Sequence, residues 1–388
     1  MTSRPLIYVV AGEPSGDVLG GRLMSALRRQ SDKVEFSGVG GEQMQAEGLK
    51  SLFSMEELSV MGIVEILPHV PKLLRRMTEV AKDIDRLKPD AVVTIDAPAF
   101  AHGVAKRIRL RDIPRIHYVA PQLWAWRPWR VHKFRRDFNH ILALLPFEPD
   151  WFERRGVSCL FVGHPVIESR AGQGDGVGFR KRHQISPDAT VLCCLLGSRH
   201  GEVKRHIGPF HSAIKRVGKN STGLVCVLPT VPHLVDKVRE FSKRLPCRTV
   251  VLLGNEEKYG AMAASNVALA ASGTVTLELS MAGTPTIIAY RMAFLTYILG
   301  KPLMNVAYAN LINLILDRPI IPEFLQSECT GKNLSQALIK LLESEGFTQR
   351  ELVKPGLKAL GLDGLSPSDR AASAVLEIIT DDKLAPKN

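Results

Sequence analysis

Asp96 ends the apolar run AVVTID at 91–96, and a carboxylate just after a buried parallel strand stands where the ligands of such sheets bind. There it could take a proton from an attacking hydroxyl. The same position suits the N-cap of a following helix, with Pro98 in its first turn, and position alone does not separate the two roles. A second candidate is GEPSGD at 12–17, between an apolar run and a helical pattern. It carries neither the Gly-Lys-Ser/Thr of a Walker loop nor the G-x-G-x-x-G of a dinucleotide site. Glu13 and Asp17 would also repel a pyrophosphate. Glu13, Ser15 and Gly16 read either as a rim for sugar hydroxyls or as a plain strand–helix turn, with Ser15 or Asp17 capping the helix.

Two turns in the second half have the chemistry of anion sites. Gly197, Ser198 and Arg199 follow an apolar run and precede a helical pattern. Glycine lets backbone approach a ligand, a helix N-terminus favours an anion, and arginine forks onto phosphate oxygens. Ser272, Gly273 and Thr274 repeat that arrangement, and Glu278 lies four residues on, where a carboxylate can accept both hydroxyls of a ribose. The two turns together point to a nucleoside diphosphate. The only clear D-x-D, Asp83 and Asp85, falls in a helical pattern, so no metal and no other cofactor is expected. The six cysteines show no C-x-x-C spacing, and Cys193 and Cys194 lie in an apolar run, which speaks against a zinc site or a disulfide framework.

Charge and apolar patterning suggest a partner. Lys plus Arg exceed Asp plus Glu by 12, so an anionic partner is expected. Residues 106–136 hold ten Lys or Arg and one acid, Asp112, together with Trp124, Trp126 and Trp129. Such interleaving serves single-stranded nucleic acid, an anionic membrane surface or a plain solvated face. Ile63, Ile66, Leu67, Val70, Leu73 and Leu74 keep helical spacing beside Lys72, Arg75 and Arg76, the pattern of a helix lying on a membrane or packed on a core. Pro68 and Pro71 predict two short helical pieces there. The stretch 292–316 is interrupted by Lys301, Pro302 and three asparagines, so no spanning helix is expected.

The elements that must position these residues alternate from end to end. Continuous apolar runs predict strands at 6–10, 34–37, 91–95, 115–119, 141–145 and 160–162, then at 190–196, 224–228, 249–253, 267–270 and 286–289. Runs without alternation belong to strands buried on both faces, hence to parallel sheets covered by helices. The Gly-rich stretch 172–178 reads as the linker, and from about residue 330 only helices are expected. The architecture is therefore α/β, two Rossmann-like domains with a helical C-terminus. A chain of 388 residues, 45% hydrophobic and 23% charged, can bury such cores. The apolar run at its start has the wrong length and flanks for a signal peptide, and a cytoplasmic setting is expected.

The chain resembles the lipid-A-disaccharide synthase family, inverting glycosyltransferases of Gram-negative lipid A synthesis. The resemblance rests on AGEPSGD, FSGVGGEQMQAEG, MEELSVMGIVE, IDAPAF, IHYVAPQLWAWR, LPFEP, FVGHP, GSRHGEV, ASGTVTLE, YRM and NLILDRPIIPEFLQ, in the family's order over 11–326. It implies a GT-B fold: an acceptor- and membrane-facing domain at 1–170, a UDP-binding domain at 171–345, and helices at 346–388 that pack back on an N-terminal domain. It implies a UDP-2,3-diacylglucosamine donor, a 2,3-diacylglucosamine 1-phosphate acceptor and no nucleic acid. It also implies a peripheral place on the phospholipid of the cytoplasmic face of the inner membrane. Some members form C-terminally swapped homodimers. By position, Asp96 matches the proposed general base, and Gly197, Ser198, Arg199, Ser272, Gly273, Thr274, Glu278, Asn313 and Gln326 match the nucleotide side. Arg291 joins Glu13, Ser15 and Gly16 at the sugar. Ile63, Ile66, Leu67, Val70, Leu73 and Leu74 become the membrane contact. Ala99 and Ala101 depart from the family's usual Asp and Asn, and Leu196 and Ile312 from its usual Pro.

Overall fold

The computed structural model describes residues 4–58, 70–110, 112–221, 223–271, 273–292 and 306–384. Among the described residues twelve strands form two sheets, every neighbouring pair parallel. The first holds β1 (Leu6–Ala11), β2 (Glu35–Val39), β3 (Ala91–Ile95), β4 (Arg115–Tyr118), β5 (His140–Ala143) and β6 (Ser158–Phe161), in the order β2-β1-β3-β4-β5-β6. The second holds β7 (Val191–Leu195), β8 (Val225–Pro229), β9 (Arg248–Leu252), β10 (Val267–Ala270), β11 (Thr286–Tyr290) and β12 (Glu323–Leu325), in the order β12-β11-β10-β7-β8-β9. Strands β3, β7 and β10 are buried along their whole length and, Thr94 apart, are apolar, as strands covered on both faces require. Helices cover both faces of each sheet. This is the GT-B class of fold.

The chain divides into Met1–Pro165 with Asp363–Asn388, and Val166–Leu362. Helix Pro367–Leu384 returns to the first unit, where Ala371, Ala372, Val375 and Ile379 pack into the core with Leu23 and Leu27 of helix Pro14–Gln30. Arg29 bonds Asp369 at 2.6 Å, and Ser373 bonds Gln30 at 3.0 Å. The return begins at Asp363, and helices Gly346–Leu352 and Lys354–Ala359 stay with the second unit.

Three expectations about elements need correction. The Gly-rich stretch is not a linker: a Cβ at Gly174 would lie 2.2 Å from the Tyr259 carbonyl oxygen, so glycine serves close packing on helix Asn255–Ala264. The second of the two helical pieces expected around Pro68 and Pro71 is not short: Pro71 sits in the first turn of helix Val70–Leu87, where no backbone N–H is needed, and Pro68 with the first piece lies outside the described residues. Strand β12 has three residues and begins with a glutamate, too short and too polar to stand out as an apolar run. Asp83 and Asp85 are structural: Asp83 accepts from the Tyr8 hydroxyl (3.0 Å), and Asp85 from the backbone of Arg109 and Leu110 (2.9 and 3.2 Å). Among the described residues no helix is long and apolar enough to cross a membrane.

Candidate active site

Each sheet has one point where the chain, having built outward from one strand, returns to that strand's other side. In the first sheet it lies between β1 and β3, with Ala11 level with Ile95. Parallel sheets bind their ligands outside the strand ends at such a point. Both GEPSGD and Asp96 leave the sheet there. Asp96 and Ala97 have φ of +53° and +43°, consecutive left-handed residues without a glycine. Each costs on the order of 1–3 kcal/mol, strain typical of functional turns. The Asp96 N–H donates to the Tyr118 carbonyl (3.0 Å), and one carboxylate oxygen accepts from the Ala97 N–H (2.9 Å). The N-cap of helix Pro98–Ala105 is Ala97, without any side-chain cap. The capping role left open for Asp96 is therefore not the one it has. Gly12 packs against the same turn, where a Cβ would stand 2.9 Å from that of Ala97.

Glu13 is the N-cap of helix Pro14–Gln30 through its backbone, and its side chain and Ser15 are exposed beside the buried Gly16. Asp17 caps a different helix from the one expected. It is buried and accepts from the N–H groups of Gly41 (2.8 Å), Gln43 (2.9 Å) and Met44 (3.1 Å), at the start of helix Glu42–Ala46. Ala101 is buried in the apolar cluster around Phe134 and Phe138, while Ala99 is exposed.

In the second sheet the crossover point lies between β7 and β10, with Ala270 level with Leu195 and the Ala271 N–H donating to the Leu195 carbonyl (2.8 Å). Both turns expected to hold a nucleotide leave from it. Gly197 takes φ +116° ahead of helix His200–Asn220, and Gly273 φ +142° ahead of helix Val275–Met281. The Glu202 carboxylate accepts from the Ser198 N–H (3.1 Å), Arg199 (3.3 Å) and the Tyr290 hydroxyl (3.2 Å). Arg199 is otherwise largely exposed. Thr274 is exposed, and Ser272 lies outside the described residues. Glu278 is not alone: Lys258 Nζ bonds both its oxygens at 2.9 and 3.0 Å, and the Tyr259 hydroxyl donates at 3.2 Å.

Three residues from the resemblance prove to be joints between elements. Asn313 is fully buried, both amide N–H groups donate to the Ile321 carbonyl (2.8 Å) and Glu323 (2.9 Å), and its oxygen accepts from the Ile321 N–H (2.9 Å). With both amide N–H groups engaged, the side chain clamps helix Leu311–Leu316 to the segment that leads into β12. Arg291 donates to the carbonyls of Gln326 (3.2 Å) and Cys329 (2.7 Å), so its guanidinium pins the turn after β12. Gln326 takes φ +50° in that turn.

Sequence reasoning missed His206, Glu202, Lys258 and Tyr259; His206, Lys258 and Tyr259 bond partners on other elements, and Glu202 joins the turn before its own helix to Tyr290 of β11. His206 is fully buried, and burial holds its pKa below the usual imidazole range. Its Nε2 accepts from the Arg291 N–H (3.0 Å), which leaves the proton on Nδ1, bonded to the Leu196 carbonyl (2.8 Å). One neutral imidazole thus joins the turn after β7 to the turn after β11.

The membrane-contact residues divide. Ile63, Ile66 and Leu67 lie outside the described residues, Val70 and Leu74 are 40% and 44% exposed, and Leu73 is half-buried. The rest of that helix puts Val80, Ala81 and Ile84 in the core. Its cations are partly neutralised, because Glu57 pairs with Lys72 (3.0 Å) and Arg76 (2.8 Å). These partners also hold the Glu57 carboxyl below its usual range.

A family model described as lipid-A-disaccharide synthetase matches residues 7–360. The chain is 48% identical over 380 residues to a lipid-A-disaccharide synthase of Rhodospirillum centenum, covering 97% of this chain and 95% of that one. Among solved structures it is similar to a UDP-GlcNAc 2-epimerase from Neisseria meningitidis bound to UDP-GlcNAc, with a TM-score of 0.62 at 13% identity over 97% of this chain and all of that one. It is also similar to MurG of Acinetobacter baumannii, with a TM-score of 0.57 at 15% identity over 97% and 99% of the two chains. At those identities the structural likenesses speak for the fold. The match to the family model over residues 7–360 and to the Rhodospirillum relative over 97% of the chain decides the family: this chain belongs to the lipid-A-disaccharide synthases.

Proposed function

We propose that the chain performs its family's reaction with Asp96 as general base and the two turns of the second unit as the diphosphate holder. The reaction moves 2,3-diacylglucosamine from its UDP donor to 2,3-diacylglucosamine 1-phosphate and yields the β-1,6-linked tetraacyl disaccharide 1-phosphate and UDP. Asp96 takes the proton of the acceptor's 6-hydroxyl as that oxygen bonds to the donor's anomeric carbon. The bond from that carbon to the diphosphate breaks on the opposite face, so the configuration inverts and UDP leaves with the electron pair. Arg199, at the head of helix His200–Asn220, and the 272–274 turn stabilise the charge that grows on the diphosphate. Glu278, oriented by Lys258 and Tyr259, accepts from the ribose. The observation that carries this reading is the Asp96 turn: a strained carboxylate at a crossover point, not used as a helix cap.

The substrates' acyl chains favour a peripheral place on the inner-membrane phospholipid, and exposed Val70 and Leu74 support contact there. Helix Pro367–Leu384, docked on the first unit from the far end of the sequence, is the kind of element that exchanges between two copies, which supports a homodimer. The test incubates purified protein with the UDP-diacyl donor and the lipid monosaccharide 1-phosphate and identifies products by mass spectrometry. The disaccharide 1-phosphate should appear only with both substrates. Conversion of UDP-N-acetylglucosamine without acceptor, and no disaccharide, would assign a 2-epimerase instead.

A further inference from the structure

The loop after β4 carries the most exposed tryptophans of the described residues. Trp129 is 58% exposed and Trp126 45%, with exposed Pro128 between them. An indole is costly to leave in water and favourable at a lipid headgroup boundary, where its ring is buried and its N–H stays wet. These two do not belong to an ill-formed loop. Trp124, two residues earlier, is tied down: its indole N–H donates to the buried Glu148 (3.0 Å), and its ring meets Phe147 edge-on at 4.9 Å. The same carboxylate accepts from the N–H groups of Leu144 (3.1 Å) and Leu145 (2.9 Å), which fixes the loop to the end of β5.

Cations surround the exposed rings. Arg127 lies over the Trp126 ring at 4.4 Å, and Arg130 and Lys133 are exposed on the 3₁₀ turn Pro128–Arg130 and helix Val131–Asp137 that follow. None of the three has an acidic partner among the described residues. On the helix Val70–Leu87 the pairs of Glu57 with Lys72 and Arg76 and of Glu79 with Arg76 offset part of the charge, and exposed Arg75 remains beside Leu74. The 126–133 surface differs in adding two exposed indole rings to its cations. We propose that Trp126 and Trp129, with Arg127, Arg130 and Lys133, form a second membrane-docking surface that seats on anionic phospholipid headgroups. Rings enter the interface, and the guanidinium and ammonium groups meet lipid phosphates. The surface begins one strand from the proposed base, since the Asp96 N–H bonds the last residue of β4. Docking there would bring the lipid layer beside the Asp96 side of the first unit. The proposal rests on the membrane reading above but assigns a different surface.

The test uses full-length protein and vesicle sedimentation, with phosphatidylcholine alone or mixed with phosphatidylglycerol. Wild type should partition more strongly onto the anionic vesicles. Arg130→Gln with Lys133→Gln should lower that partition about thirtyfold, equivalent to ~1 kcal/mol for each cation, and flatten its salt dependence. Trp126→Ser with Trp129→Ser should lower binding to both vesicle types, with UDP affinity unchanged. If that variant fails to fold, Trp126→Phe with Trp129→Phe keeps the apolar bulk. Brominated lipid should then quench the tryptophan fluorescence of wild type but not of this variant. Wild-type partition in both double variants, with loss only on Val70→Ser and Leu74→Ser, would overturn this surface and leave the membrane reading standing. Wild type bound to neither vesicle type would sink both. Tight binding of single-stranded RNA with indifference to anionic vesicles would assign the surface to nucleic acid and overturn the proposal.

Discussion

Glu278 shares its carboxylate with Lys258 and Tyr259, so a ribose bound there joins an existing ion pair. Glu278→Ala should weaken UDP binding by removing the ribose acceptors, and Lys258→Met should weaken it less, by releasing the carboxylate from its orientation. Arg199 stands exposed at the head of helix His200–Asn220, and Arg199→Ala should cost a charge-assisted bond of about 1.5–3 kcal/mol. Calorimetry with UDP on the folded variants checks all three, and unchanged affinity in both Glu278→Ala and Arg199→Ala would remove the nucleotide assignment. Asn313 should respond differently. Its amide closes three hydrogen bonds in a dry site, so Asn313→Ala should lower the melting temperature. Each polar partner left unsatisfied costs about 1–3 kcal/mol.

Elements announce themselves in the sequence when burial is continuous and hide when their reason is tertiary. β3 and β10 occupy the predicted residues because AVVTI and VALA admit only a strand buried on both faces. β12 is hidden because three residues on a sheet edge leave no pattern. The glycines at 174 and 176 read as flexible, yet the backbone they press against is some ninety residues away in sequence. Of the site, the turns were legible because strand ends and small residues are local signals; the partners of Glu278, Asp17 and His206 were not, because each comes from another element. The same burial sets an acid limit on stability. His117, bonded to Thr94 at 2.8 Å, and His164 are buried, and desolvation pushes their pKa values down to about 3 and about 4. Both imidazoles stay neutral in the fold but take protons in the unfolded chain below about pH 6.5. Their contribution is therefore whole above that pH and is lost as pH falls toward 4, at about 1.4 kcal/mol per pH unit for each. His117→Phe, which suits the neighbouring Phe134 and Phe138 rings, should make the fall in melting temperature between pH 6.5 and 4 shallower. An unchanged slope would show that His117 titrates alike in both states.

At the scale of the whole molecule, two parallel sheets each place their candidate residues at one crossover point: the proposed base on the first, the turns proposed to hold the diphosphate on the second. The net charge of +12 fits a protein that handles a nucleotide, a sugar phosphate and anionic lipid. Val70→Ser with Leu74→Ser should reduce vesicle binding without unfolding the chain, since both side chains are exposed. Because these substitutions remove apolar surface and leave every charge of the helix in place, the share of binding lost should depend weakly on salt. Unfolding of this variant would instead make the two residues part of the core. The central claim concerns Asp96, and turnover of Asp96→Asn tests it most directly, measured with melting temperature and UDP affinity on the same protein. Asparagine keeps the shape and the hydrogen bond to the Ala97 N–H but cannot take the acceptor's proton. The expected result is a fall in turnover of about 10²–10⁴-fold, with melting temperature and UDP affinity nearly unchanged. An Asp96→Asn enzyme that turns over like wild type would contradict the assignment of Asp96 as the base.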